Sequence, residues 1–274
     1  MRKKEDITLN EEISSTVLSK TSQIMNILKS WNTGFNSISI KSENSKKYFR
    51  KTDNVGCFFS GGVDSFYTYL KNKNKINYLI FVHGFDIPVK ELNLYNKIEK
   101  NIIQVAKKEN IKLLRIKTNL REILELYFDW GMSHEFALAS VSLLLSNGFK
   151  EIYMSCGQTD IGASHHYMSP DLDILWSTEN MKINHYGCSA DKIVKLKFLS
   201  NYKLVMENLR VCWVNKNNQY NCCECEKCFR NMLALYTIGS LKKFKTFNPT
   251  INLEKLKNTR IDPHPMPYFI TILN

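Results

Sequence analysis

Residues 54–70 hold the feature that most constrains this chain. Val55 to Phe59 is a short apolar run with β-branched and aromatic residues, which predicts a buried strand. A helical pattern begins at Phe66. Between them stands Ser60-Gly61-Gly62-Val63-Asp64-Ser65. Glycines in such a turn permit φ > 0 and close approach of the backbone to a ligand. The helix that follows opens with unpaired N–H groups and a positive dipole end, which favour an anion. Ser60 and Ser65 add hydroxyls. A strand–loop–helix unit of this make-up is suited to phosphate.

The unit is not a Walker loop, since G-x-x-x-x-G-K-[ST] is absent. It resembles the loop of the N-type ATP pyrophosphatases (PP-loop enzymes), whose signature is S-G-G-x-D-S after the first strand. The resemblance implies that Ser60, Gly61, Gly62, Val63, Asp64 and Ser65 hold the β,γ-pyrophosphate of ATP while an acceptor oxygen attacks the α-phosphate. It also places Asp86, after the second strand, near the adenosine. A turn residue before Pro88 is the plainer account of Asp86.

Strands and helices alternate from residue 54 onward. Strands are expected at 78–83, 113–116 and 151–154, and helices at 92–108 and 133–147, the latter with Ser133 as its cap. This order predicts an α/β fold with a doubly wound parallel sheet, in the resemblance like that of the adenine nucleotide alpha hydrolases, with ligands at the carboxyl ends of the strands. Residues 1–50 read as an N-terminal appendage packed on the sheet, 51–204 as the nucleotide-binding domain, and 205–274 as a C-terminal zinc-binding helical region. Within the appendage Ser14 or Ser15 could cap one helix. Residues 156–190 read as mostly irregular, and 196–209 as one helix.

Eight cysteines are present, four of them between 222 and 228. Clustering of this kind points to a metal instead of disulfides. Cys212, Cys222, Cys225 and Cys228 supply four thiolates with two C-x2-C steps, a set that fits a closed tetrahedral Zn²⁺ site. Cys223 then stands aside, although a register using Cys223 in place of Cys222, a redox C-x-x-C and an iron–sulfur cluster are alternatives. Together the two motifs resemble the 7-cyano-7-deazaguanine synthase family and its relatives, in which four cysteines of this order hold a structural zinc. The run Asn221-Cys222-Cys223-Glu224-Cys225-Glu226-Lys227-Cys228-Phe229-Arg230 is similar to the N-C-G-x-C-x-K-C-x-R form of one branch, with Cys223 at the glycine. The segment Ser169 to Glu179 is also similar to that branch. The substrate-recognition residues of the deazaguanine enzymes are not recognisable, so their substrate is not carried over.

The formal net charge is +12. The lysines are dispersed among asparagines and not clustered, which argues against nucleic acid as the partner. No apolar run is long enough for a membrane helix, and no signal peptide is evident, so a cytoplasmic location is expected. Further candidates are His134 and Glu135 at a helix start, His165 and His166 in the irregular segment, Lys192 as a phosphate-neutralising cation, and Arg230 near an acidic substrate. Cys57 and Cys156 read as core residues. The expected activity is an ATP- and Mg²⁺-dependent ligase that adenylates a small-molecule carboxylate or carbonyl oxygen, releases pyrophosphate and admits a nitrogen nucleophile. Asp64 and Ser65 are its catalytic candidates, with Asp64 toward the metal. A tRNA-modifying thiolase or lysidine-type ligase is the alternative within the resemblance. A non-catalytic zinc-binding module is the alternative outside it. A homodimer is left open.

Overall fold

The computed structural model describes residues 4–31, 34–42, 45–46, 51–157 and 169–261, together with 269 and 272. His165, His166 and the Pro-rich stretch at 262–267 lie outside the described residues. The leader holds β1 (Ile7–Leu9), β2 (Ile13–Ser14), α1 (Ser15–Ser30), β3 (Ile40–Ser42) and β4 (Ser45–Lys46). The central region runs β5 (Val55–Phe58), α2 (Val63–Lys71), β6 (Tyr78–His83), α3 (Leu92–Lys108), β7 (Lys112–Lys117), α4 (Leu120–Leu124), α5 (Trp130–Leu145) and β8 (Glu151–Ser155). There follow α6 (Pro170–Asp173), β9 (Lys182–Tyr186), α7 (Lys192–Leu199), α8 (Lys203–Asn208), α9 (Glu226–Thr237) and α10 (Leu253–Lys257).

Five strands form one parallel sheet in the order β7-β6-β5-β8-β9. β5 is buried at all four positions, as a central strand covered on both faces must be. Alternation along the strands divides the core in two. Cys57, Leu79, Phe81 and Tyr153 face the side packed by α2, α3, α7, α8 and α9, while Phe58, Ile80, Val82 and Met154 face α4 and α5. The edge strand β7 keeps Lys112, Arg115 and Lys117 in solvent, which blunts its unpaired side. The fold is α/β and compatible with a Rossmann-like arrangement. The order in which strands are added switches sides between β5 and β8, so the ends of these two parallel strands flank the crevice where ligands bind in such sheets.

Several expectations need correction. The segment 156–190 contains a fifth strand, β9, whose sequence Lys-Ile-Asn-His-Tyr carries too few apolar residues to announce itself. The stretch 196–209 is two helices, because the chain turns at Ser200-Asn201 and restarts at Lys203. The long helix begins at Trp130, capped by Asp129, whose carboxylate accepts from Gly131 N at 2.8 Å, and not by Ser133. The apolar face of α1 finds its partners in the segment before β9. Ile24, Leu28 and Trp31 pack on Leu172 and Leu175, and Ser14 and Ser15 donate to Glu179 at 2.7 and 2.9 Å. Ser14 is the cap of α1, accepting from Val17 N.

Candidate functional site

The loop Ser60–Gly62 leaves β5 at the crevice, and α2 begins at Val63. Only one of its two glycines uses the left-handed region. Gly61 sits at φ +76°, whereas Gly62 is extended at φ −82°. At Gly62 a Cβ would come within 3.3 Å of Ser60 Oγ, a tight approach that the serine side chain would have to yield to. The chain past α8 crosses beside the loop. Arg210 N donates to Gly61 O at 2.9 Å and fixes the loop against the segment that carries Cys212. Ser65 is buried and its hydroxyl donates to Gly62 O at 3.1 Å, so its proton is spent within the first turn of α2.

Asp64 does not project a free carboxylate. Its Oδ2 accepts from Lys192 Nζ at 2.7 Å and its Oδ1 from Lys195 Nζ at 2.8 Å. Burial works to raise the Asp64 carboxyl, but the charges of the two lysines overrule it and hold it well below the usual range. Lys195 is almost wholly buried and also donates to Cys156 O at 2.6 Å. Burial draws the Lys192 ammonium down to about 8, against the pull of Asp64. The two lysines stand three positions apart in α7 and therefore share a helix face. That spacing is the signal by which Lys195 could have been found beside Lys192.

A cavity of about 230 Å³ opens at the loop. Its polar lining includes Ser60, Gly62 and Asp64 of the loop and the cations Lys192, Arg210, Lys227 and Arg230. Asp64 and Asp86 are the carboxylates among the lining residues, and Arg230 is also paired with Glu226 at 3.2 Å. Its apolar and aromatic lining includes Ile80, Val82, Phe85 and Trp130, with His134 beside them. Burial draws the His134 imidazole below its ordinary value, and its Nδ1 lies 2.8 Å from Gly131 O. Glu135 points elsewhere: it accepts from Ser169 N, and burial holds its carboxyl up at about 9. The site thus brings together the loop, Asp86, His134, Lys192 and Arg230, and adds Lys195, Arg210 and Lys227.

The cysteine cluster forms the neighbouring wall, with Cys212 lining the same cavity. The sulfurs of Cys212, Cys222, Cys225 and Cys228 all lie within 4.8 Å of one another. Cys212 and Cys225 are 4.0 Å apart and Cys222 and Cys228 3.8 Å. A tetrahedron of sulfurs about 2.3 Å from a central ion has edges of about 3.8 Å, so these four thiols fit a metal. Cys223 turns away, its sulfur accepting from Asn248 N at 3.4 Å. It occupies the left-handed region at φ +56°, where a glycine is at ease. Asn221 locks the cluster to its surroundings. Its Oδ1 accepts from Val211 N and Cys212 N at 2.8 and 3.1 Å, and its Nδ2 donates to Leu209 O.

Cys57 is a core thiol, raised by burial far above its ordinary value. Cys156 is not simply a core residue. It pairs with Cys188 in a disulfide that joins the chain after β8 to the turn after β9. No protein-family model matches the chain, and no curated protein matches it significantly. Among the described residues no helix is long and apolar enough to cross a membrane.

Proposed function

We propose that this chain is an ATP-dependent adenylating ligase of the PP-loop type, built on a doubly wound sheet and carrying a structural Zn²⁺ on Cys212, Cys222, Cys225 and Cys228. One observation carries the reading: the Ser60–Ser65 loop opens at the sheet's switch point into a cavity lined both by four cations, Lys192, Arg210, Lys227 and Arg230, and by the aromatic rings of Phe58, Phe59, Phe85 and Trp130. A nucleoside triphosphate has the matching polarity. Its phosphates suit the loop's N–H groups and the Lys192, Arg210, Lys227 and Arg230 side chains. Its base suits the aromatic lining beside Trp130 and His134.

In this reading an acceptor oxygen, from a carboxylate or carbonyl of a small molecule, attacks the α-phosphorus. The bond to the bridging oxygen breaks and pyrophosphate leaves, its charge stabilised by donors already in place. A nitrogen nucleophile then displaces AMP. Asp64 acts as a positioning residue that orients Lys192 and Lys195 toward the phosphates. Mg²⁺ is expected with the nucleotide and would offset its charge. Asp64 does not fit as a direct ligand in the observed geometry, because both its oxygens accept from ammonium groups. The zinc site keeps Arg210 and Cys212 against the loop and does no chemistry.

Calorimetry with Mg²⁺ and a non-hydrolysable ATP analogue tests the reading directly. Wild-type protein should bind. Gly61→Val should not, since a branched residue resists φ +76° and crowds the phosphate. Wild-type protein that is folded, zinc-loaded and without affinity for any adenine nucleotide would end the proposal and leave a zinc-binding interaction module in its place.

A further inference from the structure

A second group of metal-type ligands lies behind the cavity, and the adenylation reading makes no use of it. A ring nitrogen of His185 and the sulfurs of Cys156 and Cys188 lie within 4.8 Å of one another. The three come from two elements that the sheet holds side by side, since β8 and β9 pair with Met154 opposite His185. His185 has only 2% of its side chain exposed. Its Nδ1 lies 2.5 Å from Asp173 Oδ2, and Asp173 is fully buried. Its Nε2 is buried with no hydrogen-bond partner among the described residues. A buried imidazole with one nitrogen held by a carboxylate and the other unpaired is how metal-binding histidines are prepared: the carboxylate fixes the tautomer and raises the basicity of the free nitrogen. Leaving that nitrogen unsatisfied in the interior is costly unless a ligand completes it.

We propose that Cys156, Cys188 and His185 form a second metal site, for Zn²⁺, available when the Cys156–Cys188 disulfide is reduced. Two thiolates and one imidazole are a borderline-soft donor set that suits zinc, with water in the fourth position. The steps balance as follows. A dithiol reductant attacks the disulfide, gives its two electrons and two protons to the cysteine sulfurs, and closes as a cyclic disulfide. Zinc then binds both sulfurs as thiolates, and their two protons pass to solvent. Asp173 is the positioning residue for His185. The site lies next to the Ser60–Ser65 loop, because Cys156 O holds Lys195, which in turn holds Asp64.

The test is a zinc count on full-length protein after treatment with a dithiol, exposure to Zn²⁺ and removal of free metal. Reduced wild type should hold about two zinc ions per chain, one for each site. Oxidised wild type should hold about one fewer. Cys188→Ser and His185→Gln should each lower the reduced count by about one, and Cys225→Ser should lower it through the other site. Because the readout is a difference between variants, it stands even if the four-cysteine site fails to load. Circular dichroism checks that each variant is folded. If Cys188→Ser does not fold, His185→Gln decides, since it keeps both thiols. Co²⁺ in place of zinc gives a second measure: the thiolate absorption of the second site should vanish in His185→Gln or shift its ligand field. A reduced wild type whose zinc count neither of the folded variants lowers overturns the proposal. So does alkylation showing that the disulfide survives a dithiol in the native protein.

Discussion

Cys212 to Cys228 and the cavity beside them are adjoining walls of one site, yet they are assembled differently. The cysteine wall comes from one short stretch, closed by a single asparagine that bonds the backbone at Leu209, Val211 and Cys212. The cavity wall gathers its loop from the end of β5, Asp86 from beyond β6, His134 from α5, Lys192 from α7 and Lys227 and Arg230 from α9. A local site depends on its own ligands. A gathered site depends on everything that holds its contributors in register. Damage to the first should therefore be all-or-none, and damage to the second graded.

The largest effect should come from the local site. Cys228→Ser removes one of four thiolates from a buried cluster. Structural zinc in such sites contributes on the order of 10 kcal/mol of folding free energy. The variant should lose metal and its cooperative melt together, measured by elemental analysis and circular dichroism. A zinc-free variant that melts like wild type would break the contrast.

Asp64→Asn should cost less but act on two properties. It leaves Lys195, a nearly inaccessible cation, without its ionic partner. Breaking a buried pair from one side costs about 3 kcal/mol or more. Stability should fall by that order in urea unfolding, and ATP-analogue binding should weaken as the lysines lose their orientation. Because the folded Asp64 carboxyl is held low, its contribution is present above the ordinary aspartate range and is lost as pH falls toward the folded value. The variant should therefore lose that acid-side dependence. An unchanged acid transition would remove Asp64 from the stability account.

How much of this was legible in the sequence depends on the same contrast. The loop and the four cysteines are contiguous, so spacing alone exposes them. β5, β6, α3 and β8 are apolar enough to be placed within a residue or two. β9 was missed because its five residues are polar on one face and short on apolar signal. Lys195 was legible only through its three-residue spacing from Lys192, whereas Arg210 and Lys227 were missed because a lone basic residue has no periodicity to mark it. The pairing of Asp64 with Lys192 and Lys195 was invisible because more than a hundred residues separate the carboxylate from the two lysines. Cys156 and Cys188 are also distant in sequence, and only the pairing of β8 with β9 brings them together.

A pH series examines the gathered site more gently. The Lys192 ammonium is drawn down to about 8 by burial. Between that value and the ordinary lysine value of about 10.4 the unfolded chain binds more protons than the folded one. Its term in stability must then rise with pH across that window. Nucleotide binding should move the opposite way, since a neutral amine loses its charge-assisted contact with phosphate, worth about 1.5–3 kcal/mol. Affinity for the ATP analogue should drop about tenfold or more between neutral pH and the top of the window. Lys192→Met should start weaker and stay flat. A wild-type affinity indifferent to pH would place Lys192 away from the phosphates.

The smallest effect belongs to the cysteine that stands aside. Cys223→Gly relieves a left-handed backbone at φ +56°, a gain of about 1 kcal/mol for a residue with a side chain. It also deletes a buried sulfur that accepts from Asn248 N and leaves a small void, a loss of similar size. The two should nearly cancel, leaving stability within about 1 kcal/mol of wild type and the zinc content of the four-cysteine site unaltered. Cys223→Ser keeps the backbone strain and exchanges sulfur for a hydroxyl, so it should be slightly less stable than the glycine variant with the same metal content. Loss of zinc from either variant would make Cys223 a ligand, and the separation between the four thiols and their neighbour would have to be redrawn.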